Sequence, residues 1–247
     1  MDSLPIVSAV AGAYLLAGFV KGVIGLGLPT VAIGLLGLLM TPAQAAAILV
    51  VPSLVTNIWQ FAAGGDLLVL VRRMWPLLAG ICVGTWIGAV LLPTANGGQA
   101  TMWLGVALAI YAGLGLFKIE FSVPPGAELW LGLVVGIATG AVTVATGIFA
   151  LPGVPYIQGL RFDRHRLVQA LGLSFTVSTF TLAAALSHAG EINSQLILPS
   201  LLGLAAALIG MWLGQIVRGK VKAETFRLFF FLGLLALGAH LALRGLL

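Results

Sequence analysis

Apolar residues run along this chain in stretches of about one to two dozen, separated by short clusters of charge, glycine or proline. The stretches at 5–27, 43–63, 74–93, 99–117, 128–146, 166–188, 195–217 and 226–245 each approach the length a helix needs to cross a hydrocarbon core about 30 Å thick. Two more, 29–40 and 148–160, are too short for a comfortable crossing, and each lies at a break rich in glycine and proline. The pattern predicts an all-α integral membrane protein. It is a polytopic helical bundle of 8 to 10 membrane elements, because a helix satisfies its backbone groups internally where water is absent.

Composition agrees. Of 247 residues, 60% are hydrophobic and 8% charged, and the mean hydropathy is +1.14, far more apolar surface than a soluble core of this length hides. The opening residues carry Asp2 and no basic residue before the first apolar run, the wrong pattern for a cleavable leader, so that run reads as the first transmembrane helix. The lone cysteine, Cys82, excludes an internal disulfide and makes no metal site. The net charge of +5 sits in short loops between apolar runs, where membrane orientation explains it, so nucleic acid is not an expected partner.

The second half echoes the first. A shift of 118 residues places Gly18 and Gly22 on Gly136 and Gly140, and a shift of 125 places Gln44-Ala45 on Gln169-Ala170. The same shift of 125 sets "AGGD", ending at Asp66, on "HAGE", ending at Glu191, and 126 sets "GTWIG" at 84–88 on "GMWLG" at 210–214. Trp86 and Trp212 then fall on equivalent places, which suggests helix packing. The chain is read as a single transmembrane domain, 1–247, with one repeat at about 5–117 and a second at about 128–245, joined near "KIEFSVPPGAE".

Loop charges discriminate between two topologies. If the breaks only kink long helices, the two sides of the membrane share the loop Lys and Arg seven to four. If the chain turns at each break, Arg72, Arg73, Lys118, Arg161, Arg164, Arg166, Arg218, Lys220, Lys222 and Arg227 share one side and only Arg244 takes the other. Basic residues gather in short cytoplasmic loops, which favours the turn, with both termini outside. Five elements per half make the halves inverted, as in many secondary transporters. Whether the short elements span or re-enter is left open by charge counting.

The candidate chemistry gathers at the breaks. In "GVIGLGLP", Gly22, Gly25 and Gly27 free the backbone from helical geometry, and Pro29 suits the first turn of a new helix. The N–H groups of such a start carry partial positive charge and attract anions. The second break, "GAVTVATGIFALPGVPY", adds the hydroxyls of Thr143 and Thr146 ahead of Gly147. Two such breaks meeting near the midplane of inverted halves point to a transport site, against the plainer reading of close glycine packing.

Lys21 is the one basic residue well inside an apolar run. It is either a substrate contact or a side chain reaching for the cytoplasmic surface. Asn57 and Gln60, with Ser53 and Thr56, form one polar stripe; Ser174 and Ser178, with neighbouring threonines, form another. His188, His165 and His240 read as interfacial, and Trp75, Trp103 and Trp130 as interface anchors. No "GxSxG", "HExxH" or cysteine cluster appears, which leaves an intramembrane enzyme without a nucleophile and base. A channel stays open as an alternative.

The paired motifs "GVIGLGLPTVAIGLL" and "VTVATGIFALPGVPYIQGL", with small-residue helices behind each, resemble the TauE/SafE sulfite exporter family, also described as the 4-toluene sulfonate uptake permease family. Gly25 and Gly27 match the family's glycine run in the first copy, though Leu28-Pro29 interrupts it. Gly147, Leu151 and Pro152 match the second, where Ala145 and Thr146 replace typical glycines. The resemblance covers nearly the whole chain. It implies a multi-pass protein of the bacterial inner membrane that moves small sulfur-containing or organic anions such as sulfite, sulfoacetate or other sulfonates. The expected partners are that anion and the lipid bilayer, with no cofactor. A coupling proton or sodium ion, and self-association, are left open by the residues.

Overall fold

In the computed structural model, residues 3–62, 65, 67–91, 97–117 and 121–246 are described. Asp66, which ends the "AGGD" match inside the first repeat, and Lys118 and Glu120 of the linker lie outside them. The described residues form ten α-helices and two single 3-10 turns, with no strand among them. The helices are α1 (Ser3–Ile24), α2 (Leu28–Leu36), α3 (Pro42–Ala62), α4 (Leu67–Leu91), α5 (Gly97–Leu116), α6 (Glu128–Thr146), α7 (Gly153–Gly159), α8 (Arg164–His188), α9 (Ile197–Arg218) and α10 (Ala223–Arg244). Eight are long and apolar enough to cross a membrane; α2 and α7 are the two short ones. This is the expected polytopic bundle. Three boundaries move: α2 ends at Leu36, not at 40, α7 begins at Gly153, not at 148, and α4 begins at Leu67, not near 74, and carries Arg72 and Arg73. Arg73 makes a two-pronged ion pair with Glu128, at 2.6 and 3.0 Å, that ties the start of α4 to the start of α6.

The chain turns at each break. Gly25 shares a cavity with Arg164, Arg218 and Arg227, so α1 ends where α8 and α10 begin and α9 ends. α2 then heads the other way, since Leu38, just beyond it, accepts a hydrogen bond from Arg244 at the far end of α10. In the second half α7 returns to the basic end, where Tyr156 donates to the Glu128 carbonyl and Leu160 accepts from Arg73. Both α1 and α10 therefore have their outer ends opposite the arginine-rich face.

Two parallel pairs dominate the packing, α1 with α9 and α4 with α6, each closed through glycine. A Cβ on Gly18 would strike the backbone of Ala207, and one on Gly22 that of Met211. In the other pair, Gly136 meets Leu77 and Gly140 meets Ile81. From the opposite helices, Gly210 lies on Leu15 and Gly214 on Phe19, as Gly80 lies on Leu133 and Gly84 on Ile137. Small residues let helix backbones approach this closely where lipid offers no hydrophobic drive.

These contacts set Gly80 beside Gly210 in role, and Gly84 beside Gly214. The match of "GTWIG" to "GMWLG" is thus displaced by one helical turn. Trp86 and Trp212 are not equivalent: they are 48% and 62% exposed, and Trp86 touches the His188 ring at the end of α8, centroids 6.3 Å apart. The repeated glycine spacing of four allows either register, and only the partner helix selects one.

Candidate functional site

Lys21 lies one turn before α1 ends, and Gly25 closes that turn by donating its N–H to the Lys21 carbonyl at 2.8 Å. Gly25 and Gly27 have φ of 82° and 101°, in the left-handed region that glycine enters without cost. The chain thereby reverses within three residues. Gly27 caps α2 without a side-chain bond, and Pro29 occupies the first turn. The first intrahelical bond of α2 runs from the Val31 N–H to the Gly27 carbonyl at 2.9 Å.

The reversal folds α3 against α1 with its polar stripe inward. Lys21 does not reach for the surface; it is 3% exposed. Its ammonium donates to Thr56 Oγ1 at 3.1 Å and Asn57 Oδ1 at 2.5 Å. Asn57 Nδ2 donates to Ser53 Oγ at 2.9 Å, and Ser53 Oγ lies 3.1 Å from Thr179 Oγ1. Thr179 donates in turn to the Phe175 carbonyl at 2.6 Å. Because the one hydroxyl hydrogen of Thr179 goes to Phe175, the Ser53 hydroxyl is the donor to Thr179. Every hydrogen in this chain thus points from α1 through α3 toward α8, and each oxygen around the ammonium belongs to a neutral group. An ammonium held in low dielectric by neutral dipoles alone lacks the counter-charge such burial normally requires.

Gln60, one turn beyond Asn57, donates from Nε2 to both the Gly25 carbonyl, at 3.1 Å, and the Val168 carbonyl, at 2.9 Å. It clasps the first break to α8. Its Oε1 is buried without a hydrogen-bond partner among the described residues, as is Ser178 Oγ. Ser174 is buried nearby on α8.

The second break is built differently. Gly147 has φ 75° and donates to the Thr143 carbonyl at 2.7 Å, ending α6. Thr143 Oγ1 donates to the Thr139 carbonyl and Thr146 Oγ1 to the Val142 carbonyl, both at 2.7 Å, while Thr146 Oγ1 accepts from the Ile148 N–H at 3.2 Å. Their hydroxyl hydrogens are engaged by backbone carbonyls, so they brace the helix end and do not offer free donors. A Cβ on Gly147 would meet Ile33 and Ala46. Ile33 stands six residues beyond Gly27 in α2, about 9 Å along the helix. The two breaks therefore sit at different levels and do not face each other across the midplane. Gly22 also leaves the site, because it is a packing glycine against α9.

Beside the first break lies a cavity of about 280 Å³ whose wall includes Gly25, Leu26, Tyr111, Gln158, Val168, Arg164, Arg218 and Arg227. None of the described residues in its wall is acidic. The loop arginines read in the sequence only as orientation marks. No local signal brings residues 164, 218 and 227 together, since their convergence depends on three helix ends meeting.

Residues 10–241 match the family model described as sulfite exporter TauE/SafE. No curated protein and no solved structure matches the chain.

Proposed function

The chain belongs to the sulfite exporter TauE/SafE family, and from that premise we propose that it is a secondary transporter that exports small sulfur-containing or organic anions such as sulfite, sulfoacetate or other sulfonates. The observation that carries the reading is the buried Lys21 side chain, whose Nζ donates, among the described residues, to the neutral Thr56 and Asn57 beside a broken helix, so that in its protonated form it has no internal counter-charge there. A bound oxyanion supplies the missing negative charge. Asn57 and Thr56 hold the ammonium in place, and Ser53 and Thr179 hold Asn57, so the cation is oriented before the anion arrives. The start of α2 adds the Leu28 and Thr30 N–H groups, which have no carbonyl of their own helix to reach. Such a site suits a carrier, because the anion is attracted strongly enough to bind while no arginine fork clamps it permanently.

Because the tightest contacts, α1 with α9 and α4 with α6, join one half to the other, the units that move about this site are these glycine-closed pairs and not the halves themselves. With the arginine-rich face toward the cytoplasm of a bacterial inner membrane, Lys21 lies near the inner side of the route.

The test is transport of sulfite, sulfoacetate, thiosulfate and carboxylates into proteoliposomes, with and without a proton gradient, together with binding to the purified protein. A charge-assisted hydrogen bond contributes roughly 1.5–3 kcal/mol, so Lys21→Ala is expected to weaken sulfonate binding about tenfold or more, and Asn57→Ala somewhat less. Unchanged affinity in both variants would remove this site from the mechanism, and a chemically altered product would replace transport by catalysis.

A further inference from the structure

The cavity at the basic end does not include Lys21 in its wall, yet Gly25 and Val168, which line it, are both hydrogen-bonded by Gln60, one turn from Asn57. Its arginines come from three places: the first residue of α8, the last of α9 and the second turn of α10. The Arg227 guanidinium is 3.4 Å from the Gly115 carbonyl and 5.5 Å from the centre of the Phe231 ring, which holds it at the wall. Guanidinium forks match the spacing of sulfonate and sulfite oxygens. At about 280 Å³ the space is smaller than the roughly 300–1,000 Å³ of sites for drug-sized molecules, so its occupant is small.

The floor of the cavity is the first break. Gly25 and Val168 both line it, and both give their carbonyls to Gln60 Nε2. Gln60 is on α3, one turn from the Asn57 that holds Lys21. There is also room at the break, because a Cβ added to Gly25 would meet only Val168 Cγ2, at 3.8 Å.

We propose that this cavity is an antechamber in which Arg164, Arg218 and Arg227 collect a small oxyanion from the basic face, with Gln60 as the bolt between it and Lys21. This rests on the reading of the protein as an anion transporter and names where the anion loads. The arginines supply attraction at a distance; Lys21 supplies the single charge met after Gln60 releases its two carbonyls. Charge focused in a cleft raises the local concentration of the opposite charge by roughly 10–10³, so loading is expected to be steep in ionic strength.

The experiment places a cysteine in the wall, Gln158→Cys, in a Cys82→Ala background, and compares its labelling by an anionic sulfonate-bearing thiosulfonate reagent and by a cationic trimethylammonium analogue in phosphatidylcholine vesicles. Relative to a free thiol, the anionic reagent is expected to gain about tenfold or more over the cationic one. That gain should shrink with added salt, fall toward one in Arg164→Gln/Arg218→Gln/Arg227→Gln, survive in the triple arginine-to-lysine variant, and yield to protection by sulfoacetate. Equal labelling in the parent protein, or a preference untouched by the glutamine changes, overturns the proposal. Protection by added phosphatidylglycerol but none by sulfoacetate also overturns it, by assigning the arginines to a lipid headgroup. The two readings fail separately. A charge preference that persists while Lys21→Ala transports sulfoacetate normally removes only the Lys21 site, and lost transport in Lys21→Ala without a charge preference removes only the antechamber.

Discussion

At the scale of single residues, the decisive feature is an ammonium that has been given dipoles in place of an anion. Asn57 Oδ1 occupies the position a carboxylate oxygen would take, so Asn57→Asp should furnish Lys21 with an internal counter-charge and compete with the substrate. Sulfoacetate affinity is expected to fall at least tenfold, or about 1.4 kcal/mol, while the thermal midpoint in detergent holds or rises; binding by isothermal calorimetry and melting by intrinsic fluorescence check the two halves. Undiminished affinity would mean that the anion does not meet Lys21. The sequence marks Lys21 plainly, because a cation inside an apolar run is costly wherever it points. Its direction is not legible there. Whether a lysine within two turns of a helix end reaches outward or inward depends on what stands beside it, and Thr56 and Asn57 stand beside it only after the chain has reversed at Gly25. The same holds for Thr143 and Thr146, whose type suggests donors to a ligand but whose hydroxyls bond their own helix, the commonest use of threonine in an apolar helix.

At the scale of elements, glycine serves two purposes that look identical along the chain. Gly22 and Gly25 are three residues apart in one motif, yet Gly22 is pressed against the Met211 carbonyl whereas a Cβ on Gly25, at φ 82°, would meet only Val168 Cγ2 at ordinary contact distance. Alanine should therefore act on them by different physics. Gly22→Ala must move α1 off α9, which as overpacking costs roughly 1–3 kcal/mol, and lowers the melting temperature. Gly25→Ala has the room but must hold a left-handed backbone, at roughly 1–2 kcal/mol, so it should lower the melting temperature by no more than Gly22→Ala does while also slowing transport. A larger thermal loss at Gly25 than at Gly22 would show that the break is a packing element. Existence and type of every element were legible from apolar run length and glycine-proline punctuation. The start of α4 was not, because Arg72 and Arg73 resemble a loop until Arg73 is seen to find Glu128 on a neighbouring helix.

At the scale of the whole molecule, exchanging the two halves sends α1 onto α6 and α9 onto α4. The parallel pair α1 with α9 then becomes the pair α6 with α4, while α3 with α8 and α5 with α10 each map onto themselves. We propose that this exchange reflects an inverted duplication; the glycine contacts repeat with it, Gly22 on Met211 as Gly140 on Ile81. The symmetry is incomplete where it bears on function. The first half places a lysine one turn before its break; the second places Thr143 there, bonded to its own helix. A single ammonium near the arginine-rich face thus makes the protein electrostatically one-sided, and its orientation in the membrane decides from which compartment an anion loads. Because α1 runs toward the basic end and α10 away from it, both termini emerge on the opposite face, which the positive-inside rule places outside the cytoplasm. A phosphatase reporter fused after Leu247 should be active in the periplasm, and a fluorescent reporter there dark, whereas a fusion truncated at Lys220 should give the reverse. A bright C-terminal fluorescent fusion would invert the molecule, turn the antechamber outward, and convert the predicted exporter geometry into one that loads from outside.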